Sequence, residues 1–113
     1  MQVTVQHQDF DCQTGAVLGY TPVAEVDASA FTSVEEALEY AWRYTNNVDG
    51  SWSMKIGGDA NDNVTVLAEL PVSKRTGQQM GLRSSMMGER FIADDVTYKV
   101  AIMGFKEVEM ETL

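Results

Sequence analysis

The sequence predicts an α+β fold, with one amphipathic helix packed on a curved, mainly antiparallel sheet or on a small open β-barrel of the SH3 or Sm kind. Three observations carry that expectation. A single helical stripe runs from Val34 to Thr45. Apolar and polar residues alternate toward both ends of the chain. Asp94-Asp95 separates two such alternating runs by the two residues of a tight hairpin. With 113 residues, 44% hydrophobic and 22% charged, the chain has the size and composition of one domain spanning 1–113.

Taken in order, residues 2–8 alternate like a strand, with Val3 and Val5 on one face. Asp9 to Asp11 and Thr14-Gly15 interrupt it, Ala16 to Tyr20 is read as a second short strand ahead of Pro22, and 21–31 lacks a period and is read as irregular. Val34, Ala37, Leu38, Ala41, Trp42 and Thr45 then fall on one helical face, with Trp42 expected as a core anchor. Either Thr32 with Glu35 or Ser33 with Glu36 supplies a capping box, and the early acids suit the positive end of the helix dipole. Glu39 and Arg43 are placed for an i,i+4 ion pair, and Asn46-Asn47 with Asp49-Gly50 closes the helix.

Beyond the helix, Trp52 to Ile56 reads as extended and Gly57 to Asn63 as a turn-rich loop. Val64, Val66, Ala68 and Leu70 alternate with Thr65 and Glu69 as a half-buried strand stopped by Pro71. Residues 73–88, with Gly77, Gly81 and Gly88 among polar and Met residues, read as a long loop. Arg90 to Ala93 and Val96 to Met103 flank the Asp94-Asp95 turn. Gly104 marks a bulge or bend, and Phe105 to Met110 is the last expected strand.

Composition narrows the chemistry. One cysteine, Cys12, and one histidine, His7, exclude an intrachain disulfide and a cysteine-rich zinc site, and they make a histidine metal centre hard to build. The pair is read as a small side chain and a surface imidazole. No apolar run approaches the roughly 20 residues of a membrane span, and residues 1–6 lack the basic and apolar blocks of a signal peptide, so a cytoplasmic setting is expected. Net charge −9 disfavours broad binding to nucleic acid or anionic membranes. That charge is divided: residues 1–50 hold eight acids against Arg43 alone, whereas 73–90 holds Lys74, Arg75, Arg83 and Arg90 against Glu89 alone.

Few constellations carry chemistry. Asp59-x-Asn61-x-Asn63 opens like a calcium loop, but Val64 and Leu70 stand where that loop needs Gly and Glu, and Asx-turns account for the same residues. No metal or cofactor site is expected. The segment 74–89 is richest in functional residue types. Lys74, Arg75 and Arg83 could pair with phosphate or carboxylate, Ser84 and Ser85 could donate hydrogen bonds, and Glu89 completes the candidate binding loop. It lacks both the Walker A pattern and the interleaved aromatics of a single-strand binding surface, so a solvated hairpin loop explains it as well. No nucleophile elbow, zinc-protease helix or dinucleotide turn is present, and no enzyme is expected.

Ala41-Trp42-Arg43-Tyr44-Thr45-Asn46-Asn47, Gly50-Ser51-Trp52, the run from Leu82 to Glu89, and Tyr98-Lys99-Val100-Ala101 with Gly104-Phe105 together resemble a diffuse set of short proteins from bacteriophages and mobile elements. Those show Thr-Asn-Asn followed by Ser-Trp, an R-S-x-S-x-G-D stretch and a closing strand ending in Gly-Phe. The likeness covers roughly 33–108 and departs at Met86 and at Glu89, where Asp is usual. It implies a phage-like origin, hence a host cytoplasm, and no specific activity. In that pattern Gly88 supplies a positive φ, and Glu89 or Arg83 ties the loop down.

The expectation is a small non-catalytic interaction or assembly protein, meeting a protein partner or a second copy of itself. An acidic helix face and a basic, Met-rich loop are complementary surfaces. The alternative is a nucleic-acid-linked role, through phosphate contacts from loop 73–90 or by acidic imitation of DNA. A third reading is an enzyme using Arg83, Ser84 and Glu89.

Overall fold

The structure, a computed structural model, describes residues 1–108. Its main layer is a six-stranded sheet in the order β5-β2-β1-β6-β7-β8, with every neighbouring pair antiparallel. The strands are β1 (Gln2–Phe10), β2 (Val17–Asp27), β5 (Val64–Val66), β6 (Arg90–Ala93), β7 (Val96–Val100) and β8 (Phe105–Glu107). A separate hairpin pairs β3 (Gly50–Ser51) with β4 (Ile56–Gly57). The helix α1 (Val34–Arg43) packs on β1 and β6. The sheet is not closed into a barrel: the terminal strands β5 and β8 each pair on one side only among the described residues.

Period-two alternation makes one sheet face apolar. Val3 and Val5 of β1, Phe91 and Ala93 of β6 and Val100 of β7 are buried with Ala37, Leu38 and Ala41 of α1 in a single cluster. Ser33 rather than Thr32 caps the helix, its Oγ accepting from Glu36 N at 3.4 Å. Regular helix ends at Arg43, two residues before the stripe does, because the Thr45 hydroxyl bonds back to Ala41 O at 2.8 Å. Thr45 is buried all the same.

Several expectations need correction. Strand β2 does not stop before Pro22 but continues to Asp27. A register slip between Val5 and Gln6 leaves Pro22 at a bulge, where the missing N–H is tolerated. Trp52 to Lys55 forms the turn between β3 and β4 instead of a strand, with Lys55 at φ 57, and Trp52 rather than Trp42 is the fully buried indole. The strand from Val64 ends at Val66, and β7 ends at Val100 rather than Met103, since Ala101 N bonds Gly104 O at 2.9 Å and turns the chain into β8. Arg43 pairs with Asp59 at 3.0 Å instead of with Glu39. His7 is not a surface imidazole: it follows Val3 and Val5 onto the buried face.

The Asp94-Asp95 hairpin is as expected, with Ala93 opposite Val96 and both aspartates at positive φ, 49° and 65°, the geometry of a type I′ turn. Glu109 and Met110 of the last expected strand lie outside the described residues. Replacing Trp52 or Phe91 by alanine should lower unfolding stability by about 3–5 kcal/mol, against less than about 0.5 kcal/mol for Thr65→Ala on the solvated face. Urea denaturation checks this.

Candidate functional site

The candidate loop is not one surface. Lys74 and Arg75 sit on an exposed turn, where Gly77 N bonds Ser73 O and Ser73 N bonds Gln78 O, each at 2.8 Å. Ser84 Oγ accepts from Asn47 N at 2.8 Å and so ties the loop to the end of the helix. Arg83, Ser85 and Glu89, by contrast, are brought together with His7, Gln8 and Thr45 beneath the sheet end.

Glu89 is the hub. Its side chain is fully buried, and its oxygens accept from Gln8 N at 2.8 Å, Gln8 Nε2 at 3.1 Å and Met86 N at 3.2 Å, while Arg83 completes the set as an ion pair. Arg83, about half in solvent, also donates to Gln8 O at 3.1 Å. The turn that aims Glu89 inward needs Gly88. Its φ is 92°, and a Cβ there would sit 2.8 Å from the Gln8 side chain. Trp52 Nε1 donates to Arg83 O at 2.9 Å, which anchors the same segment from the other side.

Next to this hub lies a chain of hydroxyls. Thr45 Oγ1 gives its only proton to Ala41 O, so at 2.8 Å it accepts from Ser85 Oγ, and Ser85 in turn accepts from His7 Nε2 at 2.9 Å. The imidazole is therefore a donor toward Ser85. A nucleophilic serine needs the opposite, a ring lone pair facing the hydroxyl and a carboxylate on the far nitrogen. Here Glu89 Oε2 approaches the same Nε2, at 3.7 Å. Burial pulls the His7 pKa down to about 4. Arg83 adds to this, and Glu89 opposes it without prevailing. Among the described residues no buried side-chain nitrogen or oxygen lacks a partner.

Asp59 is a second buried carboxylate with its oxygens taken. It accepts from Arg43 at 3.0 Å and from Val48 N and Asp49 N at 2.9 Å each. Burial alone would raise its pKa, but those two amides and the guanidinium outweigh it and hold the carboxyl below its usual range. Asn61 and Asn63 give their amides to Tyr40 Oη at 2.8 and 3.0 Å, and Asn63 N bonds Asn61 Oδ1 at 2.9 Å as an Asx-turn.

The open feature is apolar and was not expected. A cleft of about 750 Å³ lies between Met87 and the 101–104 turn, with Phe105 in its wall and Lys99 and Lys106 at its margin. Ile102 and Met103 beside it are 85% and 89% exposed. The outer edge of β8 has no partner strand among the described residues. The only sequence signal for it was a strand that kept its apolar residues up to Gly104, which reads equally as buried β-structure. No protein-family model, curated protein or solved structure matches the chain.

Two outcomes follow from the buried cluster. His7 resists protonation when folded and not when unfolded, so the unfolded state binds the extra proton between about pH 6.5 and 4. The contribution of His7 is therefore intact above about 6.5 and lost progressively as the pH falls toward 4. The slope of stability between pH 5 and pH 6.5 should flatten in His7→Gln, and the single imidazole should titrate near 4 by NMR. Glu89→Ala, which leaves Gln8 and Met86 amides and Arg83 unpaired, should cost about 3 kcal/mol, far more than Glu36→Ala on the exposed helix face.

Proposed function

We propose that the chain is a small non-catalytic interaction protein whose contact surface is the apolar cleft at the β7–β8 end. The observation that carries this is the exposure of Ile102 and Met103 beside Met87, at a β8 edge that has no partner strand among the described residues. Exposed apolar groups grouped at a groove mark contact sites, and methionines adapt to varied partners. A free edge adds backbone hydrogen bonds for an incoming strand, so the fitting partner segment is extended, with apolar side chains at alternate positions.

The polar residues that would have supported an enzyme are consumed in holding the 82–89 segment, which favours the non-catalytic reading. A phosphate-contacting loop is less well supported, because Arg83 is committed to Glu89 and only Lys74 and Arg75 of the loop remain on its exposed turn. An assembly role in a phage-infected cytoplasm suits the resemblance of the sequence to phage and mobile-element proteins.

Fluorescence anisotropy with a panel of short extended peptides provides the test. Peptides with alternating apolar residues should bind, and Ile102→Ser with Met103→Ser should weaken them at least tenfold. Failure of every such peptide to bind, or binding unchanged in the double variant, rules the cleft out.

A further inference from the structure

The sheet face opposite α1 carries charge in an arrangement that its own chain leaves unresolved. Phe91, Tyr98, Val100 and Phe105 belong to the helix-side core cluster, so their neighbours Arg90, Lys99 and Lys106 point to the other face. In the strand register Arg90 is opposite Lys99, and Lys99 is opposite Lys106. Three of the chain's eight Lys and Arg residues thus stand in one cross-strand row, at strand spacings of about 4.8 Å. Like charges directly opposite one another destabilise a sheet. Among the described residues none of the three has an ion-pair partner; Arg90 instead stacks on Tyr20 at 4.1 Å.

The opposite corner of the same face is acidic. Glu25 and Asp27 of β2 line a dent of about 220 Å³ with Gln2, Asn63 and Thr65. Between the two corners the face is uncharged, with Thr4, Gln6 and Ile92 in adjoining register positions of β1 and β6. Positive corner, neutral middle and negative corner make a face complementary to itself after a half-turn about an axis through the middle. The dent lined by two carboxylates is of a size to take a lysine head.

We infer that this open sheet face docks on the same face of a second copy, Lys99 and Lys106 of each chain meeting Glu25 and Asp27 of the other. Two-fold contacts of this kind are closed, so the product is a dimer with the helices on the outside, α-β-β-α in layers. The inference goes beyond the cleft reading, since its acidic half lies at the β2–β5 edge and shares no residue with the cleft, while Lys99 and Lys106 border both. It is built on ion pairs at a polar face, so it is sensitive to salt. Screening shortens from about 8 Å at physiological ionic strength to about 3 Å at 1 M.

Light scattering and sedimentation equilibrium on the full chain test it. At low salt the mass should be twice that of the chain, falling to the monomer at 1 M salt. Lys99→Glu with Lys106→Glu, and Glu25→Lys with Asp27→Lys, should each give monomers with an unchanged far-UV spectrum. The equimolar mixture of the two variants should dimerise, and so should one chain carrying all four reversals. Glu35→Lys with Glu39→Lys on the helix should leave the dimer intact. A wild-type chain that stays monomeric at every salt and concentration overturns the inference, and so does a dimer indifferent to both face reversals or one lost with the helix reversal. If the Glu25→Lys, Asp27→Lys monomer still binds the apolar peptides, the cleft stands whatever becomes of the dimer. If wild type does neither, both readings fall.

Discussion

The buried carboxylate of Glu89 is the constraint around which this end of the molecule is organised. A charge removed from water must be met by several donors at once, and here they come from two parts of the chain: the backbone and side chain of the distant Gln8, and the Met86 amide and Arg83 guanidinium of the segment that carries Glu89 itself. Satisfying it fixes where β1 ends, how β6 begins and how the 83–89 segment lies against both. Trp52 and Thr45 join the same arrangement through Arg83 O and Ser85 Oγ. A chain with only one helix over its sheet thereby uses polar groups to close a core that its apolar residues leave open at one end.

Asp59 repeats the device just past the C-terminal end of α1. It binds the Val48 and Asp49 amides, so a carboxylate joins Asn46, whose side chain donates to Trp42 O, and Asn47, which accepts from Trp52 N, in holding the helix exit. Both sites place an acid inside, under an arginine that stays partly in water. Each pair is neutral, so the net charge of −9 stays with the other residues, and two of the eight cations are taken up in the pairs.

Elements written in local pattern were legible in the sequence: the helix with its cap, the first strand, and the Asp94-Asp95 hairpin, each fixed by neighbours within a few residues. What was not legible depended on distant partners. Pro22 signals a break unless a bulge opposite Gln6 accommodates it. Trp52 looks like strand until its indole finds Arg83 O, 31 residues away. The site was half legible. Gly88 and the tethering role of Arg83 and Glu89 came with the resemblance to the phage-protein pattern, but the alternation Val3-Val5-His7, which predicts an inward imidazole, was there to be read and a lone histidine was assigned to the surface. Lys74 and Arg75 share a sequence segment with Arg83 and no spatial environment with it, because composition carries no register.

Strand β1 meets a sequence neighbour, β2, along one edge and Arg90–Ala93 along the other. On a ribosome the β1–β2 hairpin can form early and α1 follows it, yet the β1 edge that pairs with Arg90–Ala93 stays open until the whole segment between Arg43 and Arg90 has emerged. Nascent chains in that interval carry an unpaired strand edge, which is the state that chaperones recognise and that aggregates form from.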